Sequence, residues 1–264
     1  MKQLKTSLTD LHRIFRYSIT AREIAEPLIS YEADQSAIKV MHYMNERNFD
    51  VVGVRHNGVI TGYVLRSDLI KGSVGDFEKR FEAQDVINES DPILDALDKL
   101  ADSKWIFIRF LGNPSGIITR GDLQKAPMRM WLFGLISLLE MQLLRNIKAA
   151  HSEDNWKKLL SPGRVAKACA LLEERKKSND EVDLAECLAI CDKATIFQKS
   201  DYFSILLKEA RIDEWKDFMG SLEKIRNKLA HHNAIDSAKW SDIAKKSKQL
   251  EKLIQLLEQN YQDN

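Results

Sequence analysis

The stretch Asp50-Val-Val-Gly-Val-Arg-His-Asn-Gly-Val-Ile-Thr-Gly-Tyr-Val-Leu-Arg-Ser-Asp68-Leu69 reads as strand, turn, strand and helix start. A second stretch repeats that grammar: Trp105-Ile-Phe-Ile-Arg-Phe-Leu-Gly-Asn-Pro-Ser-Gly-Ile-Ile-Thr-Arg-Gly-Asp122-Leu123. Asn57-Gly58 and Asn113-Pro114 are the hairpin signals. An amphipathic helix precedes each hairpin, Ala37 to Asn45 in one copy and Ile93 to Ala101 in the other. A short apolar strand precedes each helix, Leu28-Ile29 and Val86-Ile87. The order is strand, helix, strand, strand, helix, twice, with the closing aspartates 54 residues apart. One such unit cannot bury both faces of its own small sheet, whereas two packed together can.

Outward from the repeat, the composition changes near Ala126. Residues 1–125 hold 8 of the 11 glycines, and the remainder reads as helix almost throughout. Two domains follow: 1–125, with repeats at about 20–70 and 80–125, and 126–264. The fold class expected is an α+β pair of β-α-β-β-α repeats joined to an all-α bundle. The final helix carries Trp240, Ile243, Ser247, Leu250, Ile254, Leu257 and Tyr261 in a narrow seam. That seam suits either its own bundle or a partner chain.

The whole chain has 264 residues, 40 Lys plus Arg and 39 Asp plus Glu. A net charge of +1 excludes coating of nucleic acid by bulk charge. Three cysteines, an odd number, argue against a disulfide scaffold and against secretion. The longest apolar stretch, Trp131 to Leu139, is far shorter than the roughly 20 residues of a membrane span. A soluble cytoplasmic protein is expected, with no membrane and no DNA partner. Cys187 and Cys191 lie four apart on one helix face without nearby histidines, so no metal site is expected.

The repeat closes on Gly-φ-φ-Thr/Ser-x-x-Asp-Leu, where φ is apolar. The second copy has it in full: Gly116-Ile117-Ile118-Thr119-Arg120-Gly121-Asp122-Leu123. The first, Gly62-Tyr63-Val64-Leu65-Arg66-Ser67-Asp68-Leu69, has Leu65 in place of the hydroxyl. In this motif and in its strand order the chain resembles a tandem pair of CBS domains, the Bateman module. That resemblance implies an adenine nucleotide (AMP, ADP or ATP) as a regulatory ligand, with no cofactor required. Asp122 would take the ribose hydroxyls, Thr119 and Arg120 the phosphate, and Ile87 would lie near the base. At Asp68 the missing hydroxyl weakens the case. The plainer alternative is that Asp68 and Asp122 cap helices.

In the helical half, Ile225-Arg226-Asn227-Lys228-Leu229-Ala230-His231-His232-Asn233 breaks the bundle pattern. Cations at a helix C-terminus compensate its dipole, but that alone does not call for Asn227 or for two histidines. Arg226-Asn227-x3-His231 resembles the signature of the HEPN superfamily, whose active members are metal-independent ribonucleases acting as dimers. The resemblance implies an RNA substrate, a homodimer, His231 or His232 as acid and base, Arg226 on the phosphate, and Asn227 orienting the ring. Arg226 and His231, five residues apart, stand roughly 140° apart on a regular helix. Either the helix distorts near Ala230, or two chains share the work. The alternative function is a non-catalytic nucleotide sensor whose helical domain dimerises or docks a partner. Glu140, alone in an apolar run, could pair with Arg226, but a solvated place or one beside Arg145 is expected instead.

Overall fold

A computed structural model describes residues 6–201, 203–231, 235 and 239–262, with backbone only at 152, 153 and 260–262. The chain forms two compact units, Ile14–Met128 and a second made of the residues through Arg13 with Arg129–Asn264.

The unit Ile14–Met128 holds two four-stranded sheets. Its strands are β1 (Glu26–Pro27), β2 (Ser30–Glu32), β3 (Val51–His56), β4 (Val59–Leu65), β5 (Lys79–Arg80), β6 (Val86–Asn88), β7 (Trp105–Phe110) and β8 (Asn113–Thr119). Helices α2 (Ala37–Arg47) and α3 (Ile93–Asp102) stand where the apolar spacing places them. The sheets run β2-β3-β4-β5 and β1-β8-β7-β6, each with one parallel pair followed by two antiparallel pairs. Each repeat therefore receives its fourth strand from the segment preceding the other repeat: β1 joins β8, and β5 joins β4. This exchange splits the expected strand at Leu28-Ile29 across both sheets. Leu28 N donates to Ser115 O of the second repeat, and Ile29 O accepts from Gly53 N of the first.

The first hairpin turns at Asn57-Gly58, as expected. The second turns at Leu111-Gly112 and not at Asn113-Pro114, which begins β8. Both loops put two consecutive residues at positive φ, 54° and 82° in one, 47° and 88° in the other. That is the mirror-image turn that matches strand twist. Proline, fixed near −65°, cannot enter it. After the hairpins each repeat closes briefly, with a turn at residues 66–68 in the first and a 3-10 turn, Arg120–Gln124, in the second. Gly62 of the closing motif is required by close approach: a Cβ there would collide with Lys79 O and Glu78 Oε1 of the incoming β5 segment.

Leu28 and Val51 from the first repeat share a core with Val86 and Phe107 from the second. Tyr63 and Phe81 pack on Phe107 at ring separations of 4.8 and 4.7 Å. This shared layer is the physical reason the units come as a pair. Area removed from water stabilises at about 25 cal/mol per Å², and neither repeat alone can cover these residues.

The other unit is helical: α4 (Ala126–Ala150, its first three residues in the sheet unit), α5 (Pro162–Lys177), α6 (Ile190–Phe197), α7 (Phe203–Glu209), α8 (Trp215–Ala230) and α9 (Trp240–Gln262). Ser161 and Pro162 open α5 as the sequence indicates. Along α9, Trp240, Ile243, Ser247, Leu250, Ile254 and Leu257 are all buried within this chain, so the seam serves its own bundle. The side chain of Tyr261 lies outside the described residues. Helix α1 (Leu8–Tyr17) begins in this unit, which moves the expected boundary: the chain through Arg13 belongs with the helices. Leu8 N donates to Glu258 Oε1 at 3.0 Å, His12 Nε2 lies 2.8 Å from Glu251 Oε2, and the His12 ring stands 5.4 Å from that of Trp131. No helix among the described residues is long and apolar enough to cross a membrane.

Candidate functional site

Two groups of sequence-marked residues are built by separate elements. The first stands at the end of β8. Thr119, the last residue of that strand, and Asp122 form a reciprocal cap on the 3-10 turn. Thr119 N and Thr119 Oγ1 both donate to Asp122 Oδ2, each at 2.8 Å. Asp122 Oδ1 lies 3.0 Å from Lys125 Nζ. The same ammonium donates to Ile24 O at 2.7 Å and to Glu26 Oε1 on β1. Partial burial opposes the Lys125 charge, but the Glu26 and Asp122 carboxylates outweigh it and hold the group above the ordinary lysine value.

Arg120 turns away from this cluster. Its Nε and Nη2 donate to Leu100 O and Ala101 O, at 3.1 and 3.3 Å, and so cap the C-terminus of α3. In this structure the guanidinium is spent on helix carbonyls, not held toward a phosphate. Ile87 is 5% exposed and lies within the β6–β7 parallel pair opposite Ile108, which places it in the sheet rather than on open apolar surface.

The first repeat carries a looser counterpart. Asp68 lies 2.6 Å from Lys79 Nζ on β5 and accepts from Ser67 Oγ at 2.9 Å. Those two bonds, Lys79 first, hold the Asp68 carboxyl below the usual value. Leu65 occupies the Thr119 position and offers no hydroxyl, so no cap forms there. Both repeats thus tie their closing aspartate to a lysine, Lys79 on the exchanged strand β5 in the first and Lys125, which also reaches Glu26 on β1, in the second.

Between β3, β4 and the segment leading through β5, an open cleft of ≈ 560 Å³ is lined by His56, Thr61, Gly75, Glu78, Arg80 and Phe81. Glu78 accepts from Thr61 Oγ1 at 2.6 Å and lies 2.8 Å from His56 Nε2. Burial raises its carboxyl, but these bonds outweigh that and leave it below the ordinary value.

The second group stands at the end of α8. The helix runs unbroken to Ala230, and His231 N donates to Asn227 O, so the distortion allowed near Ala230 does not occur. Arg226, Asn227 and His231 are all exposed, and among the described residues no hydrogen bond or ion pair engages their side chains. His232 lies outside the described residues. The carbonyls at this helix end are met instead by Arg129 of α4, whose Nη2 donates to Lys228 O and Leu229 O at 3.1 Å each. Glu140 pairs with neither Arg226 nor Arg145. It meets Lys193 of α6 at 2.9 Å, and Lys193 is only 3% exposed.

Sequence reading missed Lys125, Arg129 and Lys193. Only Lys125 left a local signal, the three-residue spacing from Asp122. Arg129 and Lys193 find their partners 99 and 53 residues away, which no spacing displays. Among the described residues no group of three or more His, Cys, Asp or Glu gathers as a metal would need.

No family model matches the chain, and no curated protein matches it. Solved structures do match, over about 40% of its length. One is an uncharacterised conserved protein from Pyrococcus horikoshii, 21% identical, with 40% of this chain and 90% of that chain covered and a TM-score of 0.36. Another is the CBS domain of a bacterial CNNM/CorC-family Mg2+ transporter in complex with ATP, 18% identical, covering 40% and 85%, TM-score 0.34. A third is CBSX2 in complex with AMP, 18% identical, covering 40% and 93%, TM-score 0.35. These are what the N-terminal part of the chain is similar to.

Proposed function

We propose that the sheet unit senses an adenine nucleotide and that the helical unit is a metal-independent endoribonuclease acting as a homodimer on RNA. The observation that carries the helical half of this reading is Arg129. A helix end welcomes cations, and that was the plain explanation for the Arg226 to His231 motif. Arg129 already meets those carbonyls, so Arg226, Asn227 and His231 are left exposed and unspent. Arginine stabilises the charge that grows on a phosphate, and imidazole moves protons near neutral pH. On an unbroken helix Arg226 and His231 diverge, which supports a cleft completed by a second copy.

For the sheet unit the support lies in the Thr119–Asp122 pair. A carboxylate at a strand end is suited to a ribose diol, and the AMP- and ATP-bound CBS structures concern folds of the same kind. The short passage from Lys125 into α4 gives ligand binding a route to activity, provided the ligand binds two arrangements unequally.

The test is cleavage of total RNA and tRNA with EDTA present, for wild type and His231→Ala, with and without AMP or ATP. Cleavage that survives EDTA and disappears in the variant is the expected result. A wild type inert under every ligand would remove the nuclease and leave a non-catalytic sensor.

A further inference from the structure

The cluster at the end of β8 holds more donors than a free ribose site can tolerate. An ionised carboxylate offers about four lone-pair positions. In Asp122 three are filled: two on Oδ2 by Thr119, one on Oδ1 by Lys125. The side chain is 12% exposed, so one position remains on a mostly covered group. A ribose cis-diol brings two O–H donors and needs two positions, so one resident donor must leave.

The residents are not equal. Thr119 N is a backbone donor and Thr119 Oγ1 belongs to the same reciprocal cap, so losing either would loosen the 3-10 turn, and losing the backbone donor would leave a polar group unmet. Lys125 is 31% exposed, sits on a flexible stem, and keeps Glu26 and Ile24 O as partners when it lets go. Its departure costs least. Once released, its ammonium stands beside a bound nucleotide with a donor free for an anion.

We propose that Lys125 is a latch on the Asp122 carboxylate, displaced by the cis-diol of a ribonucleotide, and that its released ammonium selects phosphorylated ligands over the bare nucleoside. This rests on the nucleotide reading of Asp122. Two consequences follow from the chemistry. In the free protein the latch taxes every ligand that uses the diol. The ligand's phosphate repays that cost only while Lys125 is present. Lys125 also directly precedes Ala126, the first residue of α4, so the group that moves adjoins the helix leaving this unit.

Adenosine and AMP titrated by calorimetry into wild type and Lys125→Met test the latch. The expected result is adenosine binding about 3-fold to 10-fold tighter to the variant, with the AMP preference over adenosine falling about 10-fold, the size of one charge-assisted hydrogen bond. Adenosine binding that is unchanged or weaker in the variant overturns the latch and leaves the nucleotide reading standing. A wild type that binds neither ligand overturns both. A second measurement needs no variant: acetylation of Lys125 in the wild type, read by peptide mass spectrometry. Adenosine is expected to raise labelling of Lys125 several-fold over the free protein; unchanged or reduced labelling with adenosine bound overturns the latch.

Discussion

Lys193 Nζ on α6 lies 2.9 Å from Glu140 Oε1 on α4, an ion pair whose lysine is buried and whose carboxylate is partly exposed. Removing the lysine alone leaves a partly buried carboxylate without this partner, whereas removing both leaves only packing to repair. Lys193→Met is expected to cost about 1–3 kcal/mol, less than for a fully buried pair because Glu140 is partly exposed. Lys193→Met with Glu140→Leu should recover most of that loss. Urea unfolding of the two variants decides it; a double variant as weak as the single would show that the pair is not the source.

The reciprocal cap at Thr119 and Asp122 makes a separate, ligand-free claim. Thr119→Ala removes the hydroxyl bond and is expected to cost about 1 kcal/mol, with Thr119→Ser restoring it. Thermal unfolding of the apo protein reads this directly. Equal stability of all three proteins would mean that the cap contributes nothing.

Leu65 stands where the second repeat has Thr119, and Asp68 is left with Lys79 and Ser67. One AMP per chain is therefore expected in a calorimetric titration of wild type. Leu65→Thr supplies the hydroxyl and should bring the stoichiometry toward two. Two equivalent sites in the wild type would contradict the asymmetry of the repeats.

The three free cysteines differ in environment. Cys169 is exposed. Burial pushes the Cys191 thiol up to about 12, helped by its hydrogen bond to Glu223 at 3.2 Å, and burial also raises Cys187. The thiolate is the reactive form. Iodoacetamide at pH 8 is expected to alkylate Cys169 first, with Cys187 and Cys191 following only on unfolding. Rapid native labelling of Cys191 would refute the packing of α6 against α8.

Acid should loosen the sheet unit. Asp68, Asp76 and Glu78 all lie below their ordinary values of 3.8, 3.8 and 4.5. Lys79 acts first on Asp68, and the backbone N–H of Ser73 first on Asp76; at Glu78 the Thr61 and His56 bonds outweigh burial. Depressed carboxyls bind fewer protons folded than unfolded, so their contribution is complete above the ordinary values and is lost as pH falls through the folded ones. The urea midpoint is expected to drop below about pH 4, and less steeply in Asp68→Asn and Asp76→Asn. A profile identical in all three proteins would place the acid sensitivity elsewhere.

What the sequence determined by itself was local and periodic. Helices Ala37–Arg47 and Ile93–Asp102 follow from apolar spacing, and the turn at Asn57-Gly58 from residues that accept positive φ. The 54-residue recurrence of the closing aspartate announced two units that bury a common layer. The Arg226 to His231 motif was legible as residue types. Tertiary structure decided whatever depends on partners distant in sequence. It exchanged β1 and β5 between the repeats, because each sheet edge needs backbone donors that its own repeat does not supply. It turned Arg120 onto the carbonyls of α3, set Arg129 on the end of α8, and gave Glu140 to Lys193. It also tied Lys125 to Ile24 O and Glu26, 101 and 99 residues away. A charge pairs with whatever the fold brings within about 4 Å, and no spacing in a linear sequence encodes that meeting.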